Sequence, residues 1–205
     1  MMHVIWMTLG LTGSVGFAAD EAPMSQRAEI NQAEYYRLSE ELERLTQRGA
    51  WAGVERTFRA CLQTGVSLSF DDYLGGAYSA RFIGDVSATR ERLMAANEIR
   101  EDKDTLDWIW DIDSNYGLVF VAGDVGTVEL TPASMPFNPD QARAVTYAIE
   151  QVTETGQFEG LLPKGKYTFS TITVQVEPRV QTTRIDLRSD ADRPTKKKKK
   201  KKNDD

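Results

Sequence analysis

Nucleophiles, bases and metal ligands are scarce in this chain of 205 residues, which has one histidine, His3, and one cysteine, Cys61. His3 lies in a segment expected to be removed on export, which would leave the mature chain without histidine. Catalysis by Ser-His-Asp or Cys-His is thereby excluded, as are zinc, copper and non-haem iron sites that need imidazole. A lone cysteine closes no internal disulfide and builds no cysteine-only zinc site. Cys61 sits on the apolar face of a helix and reads as an inert buried thiol, with a dimer-forming disulfide as the alternative. No cofactor and no metal is expected.

Carboxylates remain. Glu40-Glu41, Asp71-Asp72 and Asp111 with Asp113 are pairs of the kind a glycoside hydrolase needs. With 31 acidic residues in the chain, spacing singles out none of them. Asp111, Asp113 and Asn115 alternate like the start of a calcium loop, but Tyr116 stands where that motif wants glycine and Ala122 where it wants a bidentate glutamate. They read as a polar helix exit.

Binding is the other chemistry on offer. Trp108 and Trp110, flanked by Asp107 and Asp111, could form an aromatic shelf for sugar or peptide. Two positions apart on a helix, they point to different faces, so one indole serves the core and the other is left as an anchor. Tyr73 is a further candidate for partner contact. At the far end stand seven consecutive lysines, represented by Lys196, Lys199 and Lys202. The net charge is −6 with them and −13 without them. The acidic body is a poor match for nucleic acid. The lysine run is either a solvated end or a hook for an anionic lipid or envelope polymer.

The elements that must position these residues follow from the apolar spacing. An uncharged run, VIWMTLGLTGSVGF from Val4, precedes Ala18 and fits a signal-peptide core, too short for a comfortable membrane span. Residues 1–18 are expected to be the leader, with cleavage after Ala18; a buried helix or a retained anchor is the alternative. From Ser25 to Ile112 the spacing is helical. Leu38, Leu42 and Leu45 share a face of a first helix; Trp51, Val54, Phe58 and Cys61 share a face of a second. A third runs from about Phe70 to Phe82 behind a Ser69/Asp72 capping box, and a fourth carries Val86, Leu93 and Ala96. A short helix capped by Asp104 is expected to seal the stack with Leu106, Ile109 and Ile112.

The two helix pairs are related by a shift of 35 residues. Gly49-Ala50-Trp51 and Gly84-Asp85-Val86 each open a second helix, and Val54, Phe58 and Cys61 align with Thr89, Leu93 and Ala96. This resembles the tetratricopeptide repeat, with its glycine at the inter-helix turn and small residues such as Ala60 and Ala96 at close contacts. The resemblance covers Glu34 to Arg100 and implies a surface for a protein or peptide partner.

After Gly117 the period changes to that of strands: Leu118 to Val121, Val128 to Leu130, Phe158, Tyr167 to Phe169, Ile172 to Val176 and Thr183 to Leu187. A helix opened by Asn138-Pro139 interrupts them from Gln141 to Val152. The run TETGQF from Thr153, followed by LLPKGKYTF from Leu161, resembles the carboxypeptidase regulatory-like, transthyretin-like sandwich, which implies a non-catalytic spacer or adhesion unit. The fold expected is α+β. A helical repeat of hairpins (26–113) precedes a small antiparallel β-sandwich with one helical insertion (116–188) and a polar tail (189–205). The function expected is binding or scaffolding in a bacterial envelope, in the periplasm or outside, with no catalysis. The alternatives are a carboxylate-only glycan hydrolase and a structural subunit that assembles through the sandwich edge.

Overall fold

The computed structural model describes residues 24–178 and 182–188. The expected leader and the tail with Lys196, Lys199 and Lys202 lie outside the described residues. The chain runs as α1 (Met24–Gln47), α2 (Trp51–Gln63), α3 (Phe70–Ile83), α4 (Val86–Ile99), α5 (Lys103–Asn115), β1 (Tyr116–Ala122), β2 (Leu130–Pro132), α6 (Pro139–Thr155), β3 (Gln157–Pro163), β4 (Gly165–Phe169), β5 (Ile172–Val176) and β6 (Thr183–Asp186). Helices fill the N-terminal part, and small, mostly antiparallel sheets follow, a mixed α+β chain. No helix among the described residues is long and apolar enough to cross a membrane.

Local chemistry sets most element ends. The Ser69 hydroxyl accepts from the Asp72 backbone N–H at 3.1 Å, and the Asp72 carboxylate accepts from the Ser69 N–H at 3.0 Å. Together they form the capping box of α3. Asn138 caps α6 by accepting from the N–H groups of Asp140 and Gln141, with Pro139 in the first turn. α5 departs from expectation. Its cap is Asp102, whose carboxylate accepts from Thr105 N–H at 2.9 Å, because a cap must stand outside the helix and reach its third residue. Asp104 already lies within the first turn. Thr105 and Ile112, two turns apart, are the buried residues of α5, and Leu106 faces solvent.

The two inter-helix turns share one geometry. Gly49 (φ 64°) donates to Thr46 O at 3.0 Å and Ala50 to Leu45 O at 3.0 Å; Gly84 (φ 100°) donates to Arg81 O at 3.2 Å and Asp85 to Ala80 O at 3.0 Å. Left-handed φ of this kind favours glycine, which has no Cβ to clash. Inside α3 the need for glycine is different. A Cβ on Gly76 would stand 2.6 Å from the Phe58 ring, so only glycine lets α2 pack this close.

Three apolar clusters hold the chain. Leu38, Leu42, Val54, Phe58 and Cys61 form the first, between α1, α2 and α3. The second joins the helices to the β half through Ala77, Val86, Leu93, Ile112, Tyr116 and Ala144. The third lies among the sheets and α6, with Val121, Val145, Val152, Leu162, Phe169 and Val176 completely buried. One sheet has the order β3-β1-β6 and the other β2-β4-β5. The expectation of a purely antiparallel arrangement is corrected here: β1 is antiparallel to β3 (Val121↔Phe158) but parallel to β6 (Val121↔Ile185). β6 comes beside β1 from the other sheet rather than through a hairpin, and a connection of that kind leaves strand direction free.

The junction of the two halves is wider than Trp108 to Ile112. Ser87 Oγ accepts from Leu161 N–H at 3.0 Å, Tyr147 OH donates to Asp85 Oδ2 at 3.1 Å, and Arg81 Nε donates to Asp140 Oδ2 at 2.8 Å. The α3–α4 turn thus sits on α6 and β3.

Candidate functional site

A strip of aromatic and arginine side chains crosses four helices. The Gly49 turn starts α2 at Trp51. On α3, Tyr78, Arg81 and Phe82 are spaced three and four apart and so share one face. Trp51 lies 6.2 Å from Tyr78 and 6.0 Å from Phe82, and Tyr78 lies 5.1 Å from Trp108 of α5. The Arg81 guanidinium stands over the Trp108 ring at 5.0 Å, and that of Arg143, from α6, over Phe82 at 5.5 Å. Asp140 pairs with both arginines. Two guanidinium groups against one carboxylate leave a net positive centre in an acidic chain.

Three hollows run along this strip and share lining residues. The first, about 440 Å³, is bounded by Ser39, Leu42, Glu43, Thr46, Leu74 and Tyr78. The second, about 180 Å³, lies among Trp51, Tyr78, Arg81, Phe82, Asp140 and Arg143. Arg81 and Asp140 pass on to the third, about 300 Å³, which reaches Trp108 and Tyr116. Burial pushes the Tyr116 hydroxyl up to about 12, so it stays neutral. Arg143, which lines the second hollow, keeps its buried Nε without a hydrogen-bond partner among the described residues.

Among the sequence candidates, Trp108 belongs to this groove. Trp110 does not line these hollows and is 64% exposed on another side of α5, as the two-residue offset requires. Tyr73 is partly buried and sits against the α1–α2–α3 cluster with its ring edge-on to Phe58 at 5.9 Å, outside the three hollows. Lys196, Lys199 and Lys202 lie outside the described residues. Trp51, Tyr78, Arg81, Phe82, Asp140 and Arg143 were not singled out as a site by the sequence. The usable signal was the Tyr78, Arg81, Phe82 spacing on a helix that already had its core face.

The buried carboxylates serve the fold. Asp72 accepts from Tyr35 OH and Ser39 Oγ, each at 2.7 Å, besides its capping bonds. Glu55 accepts from Arg92 Nη1 at 2.6 Å, Arg59 Nε at 2.7 Å and Ser79 Oγ at 2.8 Å. Burial acts to raise its pKa, but the hydrogen bonds and charge of Arg92 outweigh that and bring it down to about 2. Burial pushes the Cys61 thiol up to about 11. Asp113 is paired with Arg90 at 2.6 Å, and no group of His, Cys, Asp and Glu among the described residues could hold a metal ion. No family model matches the chain, and no curated protein or solved structure matches it.

Proposed function

We propose that this is a non-catalytic binding or scaffolding protein of a bacterial envelope. On this reading the chain is exported by the leader at 1–18 and takes a peptide or protein segment in the groove across α2, α3, α5 and α6. The observation that carries it is the run of three adjoining hollows that share lining residues, with Trp51, Tyr78, Phe82, Trp108, Arg81 and Arg143 among them. Aromatic and arginine side chains are the types that dominate binding energy at interfaces. The buried carboxylates are consumed by capping and ion pairs, which favours binding over carboxylate catalysis. Support for a tetratricopeptide-like arrangement comes from the matching turns at Gly49 and Gly84. Equivalent positions are buried in the two second helices, Val54, Phe58 and Cys61 in α2 and Thr89, Leu93 and Ala96 in α4, which supports it too. The two sheets packed on one apolar core favour a sandwich that acts as support.

A photo-crosslinking residue placed at Tyr78, in cells that make the protein, should yield a discrete adduct with a partner chain. The same residue at Met94, which is 41% exposed and lines none of the three hollows, should not. Adding Arg143→Glu to the protein that carries the crosslinker at Tyr78 should abolish the adduct. Equal adducts from both positions, or none from Tyr78, would overturn the reading.

A further inference from the structure

The segment between β2 and α6 carries no charge from Thr131 to Pro139, yet it holds a large apolar tip on the surface. Phe137 is fully exposed and Met135 is 46% exposed. A buried ring would gain from leaving water, so an aromatic side chain held wholly in solvent marks a contact surface. Both feet of the segment are anchored. Ala133 N–H donates to Lys166 O at 2.9 Å, and the Asn138 side chain caps α6.

Its surroundings are basic. Lys166 lies in β4 beside the first foot and Lys164 in the bend before it, and both are exposed. Lys166 faces the neutral Gln175 across the ladder, while the exposed Glu177 follows the Gly165↔Val176 pair on the side of Lys164 and offsets that charge. At the other foot, Asp140 is outnumbered by Arg81 and Arg143. In a chain of net charge −6, an uncharged apolar tip between basic feet is a local exception.

We infer that this tip is a docking site for an anionic lipid surface. Phe137 and Met135 enter the interface between headgroups and acyl chains, and Lys164 and Lys166 meet the phosphates. Aromatic side chains settle at that depth, and lysines near an anionic leaflet are attracted until salt screens them. The site is distinct from the lysine run at 196–202; its one foot adjoins the groove at Asn138 and Asp140, but Met135, Phe137, Lys164 and Lys166 line none of the three hollows, so it stands whether or not the groove binds a peptide.

The test uses the full chain and vesicles of equimolar phosphatidylglycerol and phosphatidylcholine, against phosphatidylcholine alone, at low salt. The protein should sediment with the anionic vesicles only. Phe137→Ser with Met135→Ser should weaken that binding by about tenfold or more, since two apolar side chains lose their burial. Lys164→Gln with Lys166→Gln should weaken it severalfold. All four positions are on the surface, so unchanged melting curves serve as the folding control. Phe137→Cys, labelled with an environment-sensitive dye while Cys61 stays buried, should shift to the blue on anionic vesicles. Equal binding by the Ser variant and the parent would overturn the site and leave the lysine run as the only hook. No binding by the parent would overturn it, as would binding without a dye shift. So would a self-association abolished by Phe137→Ser, which would make the tip a contact between copies.

Discussion

The helical half and the β half bury different kinds of side chain. Among the described residues, the buried polar and charged ones, Glu55, Asp72, Ser79, Thr89 and Thr105, all belong to the helices, whereas the core among the sheets is apolar but for the Tyr167 hydroxyl, which donates to Pro163 O. The difference follows from how each half sets its register. Strands are aligned by ladder hydrogen bonds between backbones, and their side chains need only fill space. A helix spends its backbone bonds on itself, so neighbouring helices must be aligned by side chains. Asp72 joins Tyr35 and Ser39 of α1 to the start of α3, and Glu55 of α2 joins Ser79 of α3 and Arg92 of α4. Buried groups of that kind make the helical half sensitive to acid. Glu55 titrates near 2 when folded and near 4.5 otherwise, so its contribution is complete above about pH 4.5 and is lost as pH falls toward 2. Asp72, also lowered, acts in the same direction. In the β half, burial raises Tyr167 to about 12 from an ordinary 10. Its contribution is complete below pH 10 and is lost as pH rises toward 12.

The sharpest test pairs one substitution from each half. Phe169→Ala empties a completely buried position and should cost about 3–5 kcal/mol. Urea unfolding should give the same loss at pH 7 and pH 4. Arg92→Ala leaves Glu55 buried and short of its main partner and should cost about 3–5 kcal/mol near neutral pH. That loss should shrink at pH 4, where the stranded carboxyl takes a proton. An Arg92→Ala loss that does not change with pH would break the contrast.

A smaller effect asks whether the halves unfold together. Gly84 has φ 100°, and a Cβ there would meet the Arg143 carbonyl of α6. Gly84→Ala should therefore cost about 1–3 kcal/mol through backbone strain. The described tryptophans all lie in the helical half, so their fluorescence reports that half, and hydrogen exchange in the β1–β3 ladder reports the other. Both should shift by the same amount. A shift in one alone would show two independent units. The smallest effect is Ser87→Ala, which deprives Leu161 N–H of its acceptor across the junction. It should cost about 1 kcal/mol, again in both readouts.

Whatever is decided within a few residues was legible in the sequence. The Ser69/Asp72 capping box, the Asn138-Pro139 start of α6, the glycine turns and the inward faces of α2 and α4 all depend on neighbours within about one helical turn. Most strands after Gly117 were legible for the same reason, as apolar runs between turn residues, although β2 stands at Leu130–Pro132 and not at Val128 to Leu130. Asp102 and Asp104 compete for one cap, and that choice needed the actual path of the chain. The fold's longer links were not legible. Glu55 and Arg92 read as two surface charges among many until α2 and α4 come together. The parallel partnership of β1 and β6 depends on which sheet edge a distant strand meets. The groove draws Trp51, Tyr78, Trp108 and Arg143 from four helices, none of them marked by spacing to any other. Local backbone preference and apolar period therefore determined the elements and their buried faces. Tertiary packing alone decided which exposed faces converge, because a binding surface is built from the side chains that the core leaves over.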